Sequence, residues 1–126
     1  FPTRRSSDLQ NAEKRQWQEM IENSKRYFSP WGTIFEGNPQ QILDRGEPVT
    51  LPPLYILQGE LDDNVRPAVQ EKFAATYRAA GGDCEYEVFK GCEQRWVANP
   101  GPQTDRAYEQ IKAYIARQLR AKQLAA

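Results

Sequence analysis

The stretch LYILQGELDDNVRP, residues 54–67, carries the strongest indication of the fold of this chain. It opens with an apolar run, residues 54–57, which lies between a Pro-Pro pair and Gly59 and is too short for a helix. An uninterrupted apolar run of this length is typical of a strand that is buried on both faces in a parallel sheet. Acidic residues follow, and Pro67 then suits the first turn of a helix. The stretch therefore predicts a strand, an acidic loop and a helix, and open α/β sheets bind ligands beside such loops.

A second strand is predicted after this helix. The helix, residues 67–80, ends at a glycine pair that tolerates the left-handed backbone of a helix end. Its apolar face consists of Val69, Phe73, Ala74, Tyr77 and Ala80. Residues 83–89 alternate between polar and apolar, which indicates a strand near the sheet edge with Glu85 and Glu87 on a solvated face. Because a crossover of this length joins parallel strands with right-handed topology, the expected fold class is α/β.

Helices are predicted on both sides of this strand-helix-strand unit. Residues 11–28 have apolar side chains at three-and-four spacing, and such a stripe usually packs in a core. Trp31 and Phe35 are expected to anchor the irregular segment that follows, and a short helix is expected to bury Ile42 and Leu43.

The last helix is predicted from residue 104 to residue 119, after a loop rich in glycine and proline. Its expected buried face consists of Tyr108, Ile111, Ile115 and Leu119. Residues 120–126 are expected to form a frayed polar tail.

The composition excludes several classes of function. Lys plus Arg and Asp plus Glu number 17 each, so the net charge is zero and provides no general attraction to nucleic acid. No apolar run approaches the roughly 20 residues of a membrane-spanning helix. Cys84 and Cys92 lack the spacing of a metal knuckle or a redox pair and are expected to be reduced and partly buried. The chain has no histidine, which removes the common His-containing zinc sites, and we expect neither a metal nor a cofactor.

The segment from Gln58 to Val65 resembles the loop that supplies the catalytic acid in esterases of the α/β-hydrolase family, which read approximately (H/Q)GxxDxxV before a helix. The match makes Asp62 the candidate acid, with Asp63 as its competitor. An acidic residue ahead of a helix also has a simpler interpretation, because it stabilises the positive end of the helix macrodipole. Together with the crossover of the right length and the loop at Gly91, the pattern favours the hydrolase interpretation.

The resemblance implies a catalytic triad in the chain order nucleophile, acid, histidine, with the histidine in a G-x-x-H turn after the last strand. Here that turn begins at Gly91, and Gln94 occupies the usual position of the histidine. A glutamine side chain cannot accept a proton near neutral pH, although a single nucleotide separates its codons from those of histidine. No GxSxG nucleophile elbow occurs in the chain. The resemblance therefore implies part of a serine esterase that lacks both its nucleophile and its base.

Three segments are expected along the chain. Residues 1–9, FPTRRSSDL, resemble a translated sequencing adaptor and are interpreted as a non-native segment. Residues 10–53 are interpreted as a helical, cap-like segment. Residues 54–126 are interpreted as the C-terminal strand-helix-strand-helix portion of an α/β-hydrolase domain with two parallel strands. The chain is therefore expected to be a truncated piece, and its sequence leaves the cellular compartment open.

Two functions fit this pattern. The first is a fragment of a serine carboxylic-ester hydrolase, whose full-length parent acts on a small-molecule ester through an acyl-enzyme, and which is inactive alone. The second is a non-catalytic binding or interaction module, with Trp17, Tyr27 and Phe28 on its partner surface. In both cases the first strand has an edge where earlier strands of such a sheet would pair, so self-association through that edge is expected.

Overall fold

A computed structural model describes residues 6–125 of the chain, with side chains from residue 14 onward. The chain divides into two compact units, with the boundary between Ile42 and Leu43. The first unit contains α1 (Ser6–Tyr27) and a 3-10 helix (Trp31–Phe35), and the short helix α2 (Pro39–Asp44) crosses the boundary. Helix α1 starts before the predicted residue 11 and includes residues 6–9, while residues 1–5 of the segment interpreted as non-native lie outside the described residues.

The second unit follows the predicted order of strand, helix, strand and helix. It contains β1 (Leu54–Gly59), α3 (Pro67–Ala79), β2 (Cys84–Phe89), a 3-10 helix (Trp96–Ala98) and α4 (Pro102–Ala125). The frayed tail expected after residue 119 is wrong, because α4 continues to the last described residue. Over residues 6–125, no helix combines the length and the apolar character needed to cross a bilayer.

Strands β1 and β2 form a parallel sheet, in which Leu54 pairs with Cys84 and Gly59 pairs with Phe89. The predicted parallel pairing is confirmed. Residues 54–57 are half-buried rather than buried on both faces as predicted. An interior strand of a wide sheet has a strand on each side and helices over both faces. In the described residues β1 has a strand on one side only, so more of its surface stays accessible.

Helix α3 covers one face of this sheet. Its buried residues Ala74 and Tyr77 pack with Cys84, and Leu54 of β1 joins the same cluster. Both cysteines are free and buried, in agreement with the sequence-based expectation. Burial raises the pKa of the Cys84 thiol, so little reactive thiolate forms near neutral pH.

Helix α4 covers the opposite face, where the alternation of β2 predicts solvent. The Tyr55 hydroxyl donates to Oε2 of Glu87 at 2.8 Å, and Arg106 donates to the other carboxylate oxygen at 2.7 Å. Nearby, Arg117 donates to both carboxylate oxygens of Glu85 at 2.9 Å. The predicted solvated glutamate face is confirmed at Glu85, which is exposed, whereas Glu87 is half-buried, and α4 supplies a cationic partner for each carboxylate.

The predicted apolar face of α4 is also wrong. Three of its members are at least half exposed, with exposed fractions of 50%, 51% and 58%: Tyr108, Ile115 and Leu119. Ala107 is fully buried instead, and the Tyr114 ring packs on Tyr55 with 5.1 Å between the ring centroids. The helix is therefore rotated about its axis relative to the expectation, so that its polar and small residues face β2.

In the first unit, the predicted core residues are more exposed than expected. The large apolar side chains that remain substantially exposed are Trp17, Ile21, Tyr27, Trp31 and Phe35. Ile42 and Leu43, predicted as a buried pair, are half-buried. A unit of this size buries only a modest share of its surface, so much of the apolar stripe stays accessible.

Candidate functional site

The loops after β1 and β2 leave the sheet at the same edge. The two strands are parallel and their last residues, Gly59 and Phe89, are paired. The acid loop, residues 60–66, and the turn loop, residues 90–95, therefore start side by side. This edge is the carboxyl end of both strands, the position where open α/β sheets bind ligands.

Three hydrogen bonds join the acid loop to β2 and the turn loop. The Glu60 amide donates to the Phe89 carbonyl at 3.0 Å, and the Leu61 amide donates to the Cys92 carbonyl at 2.9 Å. In the other direction, the Gly91 amide donates to a carboxylate oxygen of Glu60 at 2.9 Å. The pairing of the two strands thus continues beyond their ends into the loops.

Gly59 allows this close approach. A Cβ atom at this position would lie 2.6 Å from the Cys92 carbonyl oxygen and 3.0 Å from that of Glu93. Both contacts are with backbone atoms, which cannot rotate away as a side chain would. The glycine of the GxxDxxV pattern is therefore needed here for contact between the loops.

Asp62 is half-buried and organises the acid loop. Its Oδ1 atom accepts hydrogen bonds from the Asn64 and Val65 amides, both at 2.9 Å. Helix α3 begins later, after the N-cap residue Arg66, and its first turn contains no acidic residue. Asp62 therefore orders the loop rather than the helix end, which leaves its Oδ2 atom outside this turn. Asp63, the competing candidate, is exposed.

Gln94 lies in the turn loop, two residues after the carbonyl that accepts the bond from Leu61, and its side chain is exposed. The turn begins at Gly91, whose φ of 70° is in the left-handed region that suits glycine. Arg95 adopts a similar φ of 62°, which no sequence signal predicted. Trp96 is buried and packs on Phe89 with 4.5 Å between ring centroids.

Gln58 contributes to this edge in a way that the sequence pattern did not reveal. Its side chain is only 3% exposed, although the other residues of β1 before it are apolar or aromatic. Its Nε2 atom donates to the Val65 carbonyl at 2.9 Å and to the Gly59 carbonyl at 3.0 Å. A polar residue at the end of an apolar strand was the available signal, since a buried amide needs hydrogen-bond partners.

The chemistry available at this edge is limited by the residue types present. Asp62 offers a carboxylate that is partly committed to backbone amides, and Gln94 offers an amide that neither accepts nor releases a proton near neutral pH. Across the residues with described side chains, no three His, Cys, Asp or Glu residues are grouped so as to hold a metal ion.

No family model matches the sequence. No curated protein matches it either. Among solved structures, the chain is similar to Thermogutta terrifontis esterase 2 phosphoramylated by tabun and to the same esterase phosphonylated by cyclosarin. Each comparison gives 24% identity and a TM-score of 0.50, and covers 55% of this chain and 27% of the esterase chain.

A third structure is the native form of this thermophilic esterase from the Planctomycetes species, with 28% identity and a TM-score of 0.46 over 56% of this chain and 25% of that chain. This chain therefore spans about a quarter of the length of the esterases. The likeness at a TM-score of 0.50 concerns the fold, and it is consistent with part of an α/β-hydrolase sheet.

Proposed function

We propose that this chain is the C-terminal part of a serine carboxylic-ester hydrolase, with Asp62 as the acid of its triad and Gln94 in the position of the histidine. The observation that supports this most is the edge at which both loops emerge, because the Leu61 amide is bonded to the Cys92 carbonyl at 2.9 Å. Asp62 follows the first of these residues and Gln94 lies two positions after the second.

The proposed parent reaction is acyl transfer from an ester to a serine, followed by hydrolysis of the acyl-enzyme. A histidine takes the proton of the serine and returns it to the leaving alcohol, while the acid orients the imidazole and stabilises its charged form. In a serine protease, loss of one such residue costs about 10⁴- to 10⁶-fold in rate. Since the chain has neither a GxSxG elbow nor a histidine, we expect it to hydrolyse no ester by itself.

The second candidate function is a binding or interaction module without catalysis. The observation that favours it is Gln94, because an amide at the base position preserves a hydrogen bond to a carboxylate but not proton transfer. If the chain is an esterase fragment, the small-molecule ester is a substrate of the full-length parent. If it is a binding module, no catalytic group acts on the molecule that it binds. Residues 10–53 are proposed to be a cap-like segment in either case.

The absence of histidine makes the proposed site directly testable. The substitution Gln94→His introduces a single imidazole, whose pKa is measured by NMR titration without any competing signal. An unperturbed imidazole has a pKa of about 6.5, and a neighbouring carboxylate favours its charged form. We expect the pKa to lie about 0.5–1 above that value, and Asp62→Asn in the same chain to remove the increase.

Asp63→Asn is the matched control, because it removes an exposed carboxylate one residue away. If the imidazole pKa changes with Asp63→Asn and not with Asp62→Asn, the acid is Asp63 and the assignment of Asp62 is wrong. An imidazole that responds to neither would refute the proposed pair. Neither the original chain nor the Gln94→His variant is expected to hydrolyse a short-chain nitrophenyl ester faster than buffer, because the nucleophile is missing.

A further inference from the structure

Gln58 holds the two ends of the acid loop together. Its carboxamide is almost fully buried and donates across the loop, from the end of β1 to the Val65 carbonyl. The same nitrogen donates to the Gly59 carbonyl. A single buried side chain thus bridges the end of β1 and the far end of the acid loop.

Val65 connects this bond to the candidate acid. Its carbonyl accepts from Gln58 at 2.9 Å, and its amide donates to Oδ1 of Asp62 at 2.9 Å. The position of the Val65 amide therefore depends on the bond from Gln58, and the orientation of the Asp62 carboxylate depends on the Val65 amide. The two hydrogen bonds connect a buried amide to a half-buried carboxylate.

We propose that Gln58 is a positioning residue for Asp62, which sets the direction of its free oxygen toward residue 94 by way of Val65. The inference rests on the proposed function and goes beyond it, because it names a residue that touches neither a substrate nor the base. It also gives a physical reason for the spacing of the GxxDxxV pattern. The side chain of the residue before the glycine donates a hydrogen bond to the carbonyl of the final valine, and the amide of that valine donates to the central aspartate.

Burial is what gives Gln58 this influence. If its donor is removed, the part-buried hydrogen bond to the Val65 carbonyl is lost. The acid loop is then no longer held to Gln58 and shifts toward solvent, and Asp62 shifts with it. An exposed amide would be replaced by solvent with little displacement of the loop.

The test is a double-mutant cycle in the Gln94→His chain, with the imidazole pKa as the readout. Gln58→Met keeps the size of the side chain and removes its hydrogen bonds. With Gln58 present, Asp62→Asn is expected to lower the imidazole pKa by about 0.5–1. In the Gln58→Met background, we expect less than half of that effect. The cycle cancels any direct influence of either substitution on the imidazole.

Gln103→Met is the matched control, because Gln103 also donates its amide to a backbone carbonyl, that of Lys90, in a solvent-exposed hydrogen bond of 3.1 Å. It should leave the Asp62 effect unchanged. An equal Asp62 effect with and without Gln58 overturns the positioning role but leaves the proposed pair intact. No Asp62 effect in either background overturns both proposals.

A second measurement decides the matter if Gln58→Met does not fold. In the unsubstituted chain, the carboxamide protons of Gln58 should exchange with water at least tenfold more slowly than those of the exposed Gln94. Equal exchange rates would show that the bond to Val65 is absent, and would overturn the proposal.

Discussion

Glu87 illustrates how one side chain depends on partners that are distant in sequence. Burial alone would raise its pKa, but hydrogen bonds from Tyr55, Gln110 and Arg106 lower it below the ordinary value of 4.5. Tyr55 shows the complementary effect, since burial and its bond to Glu87 raise its pKa to about 12. The folded state therefore favours the charged carboxylate and the neutral phenol together.

We expect Glu87 to stabilise the second unit at neutral pH and to lose this effect in acid. Because its folded-state pKa is lowered, its contribution is present above about pH 4.5 and is lost as the pH falls through the folded-state pKa. Glu87→Gln should therefore reduce the free energy of unfolding by about 1 kcal/mol at pH 7 and flatten its decrease below pH 4.5. Thermal unfolding followed by circular dichroism across this pH range measures both effects.

Glu85→Gln provides the control on the same strand. Glu85 is bonded to Arg117, but both side chains are about half exposed, and such pairs contribute roughly 0–1 kcal/mol. An acid dependence that is equally sensitive to both substitutions would contradict the role given to Glu87.

At the scale of elements, β1 and the loops beyond it depend on the contact at Gly59. We expect Gly59→Ala to force the turn loop away from β1, because the new methyl group would lie 2.6 Å from the Cys92 carbonyl oxygen. Overpacking against a fixed backbone costs about 1–3 kcal/mol in the free energy of unfolding. Urea unfolding at constant pH measures this loss.

Gly101→Ala is the comparison for this change. No atom lies within 4 Å of a Cβ built on Gly101, and its φ is outside the left-handed region. We expect a change within about 0.5 kcal/mol. A similar loss at both glycines would mean that the contact between the loops contributes nothing.

At the scale of the whole molecule, the described residues form a sheet of only two strands. The amides of Leu54 and Glu60 donate to carbonyl oxygens at the two ends of β2. Since amide directions alternate along a strand, those of Tyr55 and Leu57 point to the opposite edge. The unpaired backbone groups at such an edge form hydrogen bonds with a strand of another chain. We propose that the protein self-associates through this edge of β1.

We expect the average mass in light scattering to rise with protein concentration. Leu57→Pro removes the outward amide without removing a bond to β2, and should reduce the association to monomer. Leu57→Ala is the matched control, because it loses the same packing and keeps the amide, so it should still associate. A monodisperse monomer with a cooperative melt at all concentrations would refute association through this edge.

The local elements follow from short stretches of sequence. The apolar run at 54–57, Pro67 and the glycine pair at 81–82 predict the start of β1, both ends of α3 and the start of β2 to within about one residue. The sequence also predicted the parallel pairing, because a crossover helix permits little else. These features depend on backbone conformation and short-range periodicity, which neighbouring residues specify.

The buried face of α4 and the way in which the acid loop is held depend on contacts between residues that are distant in sequence. The stripe that contains Ile115 has the periodicity of a core face, but α4 instead turns Arg106 toward Glu87 and Arg117 toward Glu85. Likewise, the buried Gln58 side chain has its hydrogen-bond acceptors in the Gly59 carbonyl of β1 and the Val65 carbonyl of the acid loop. Periodicity locates a stripe relative to its own helix axis, whereas the rotation of that helix depends on the groups that it meets across the fold.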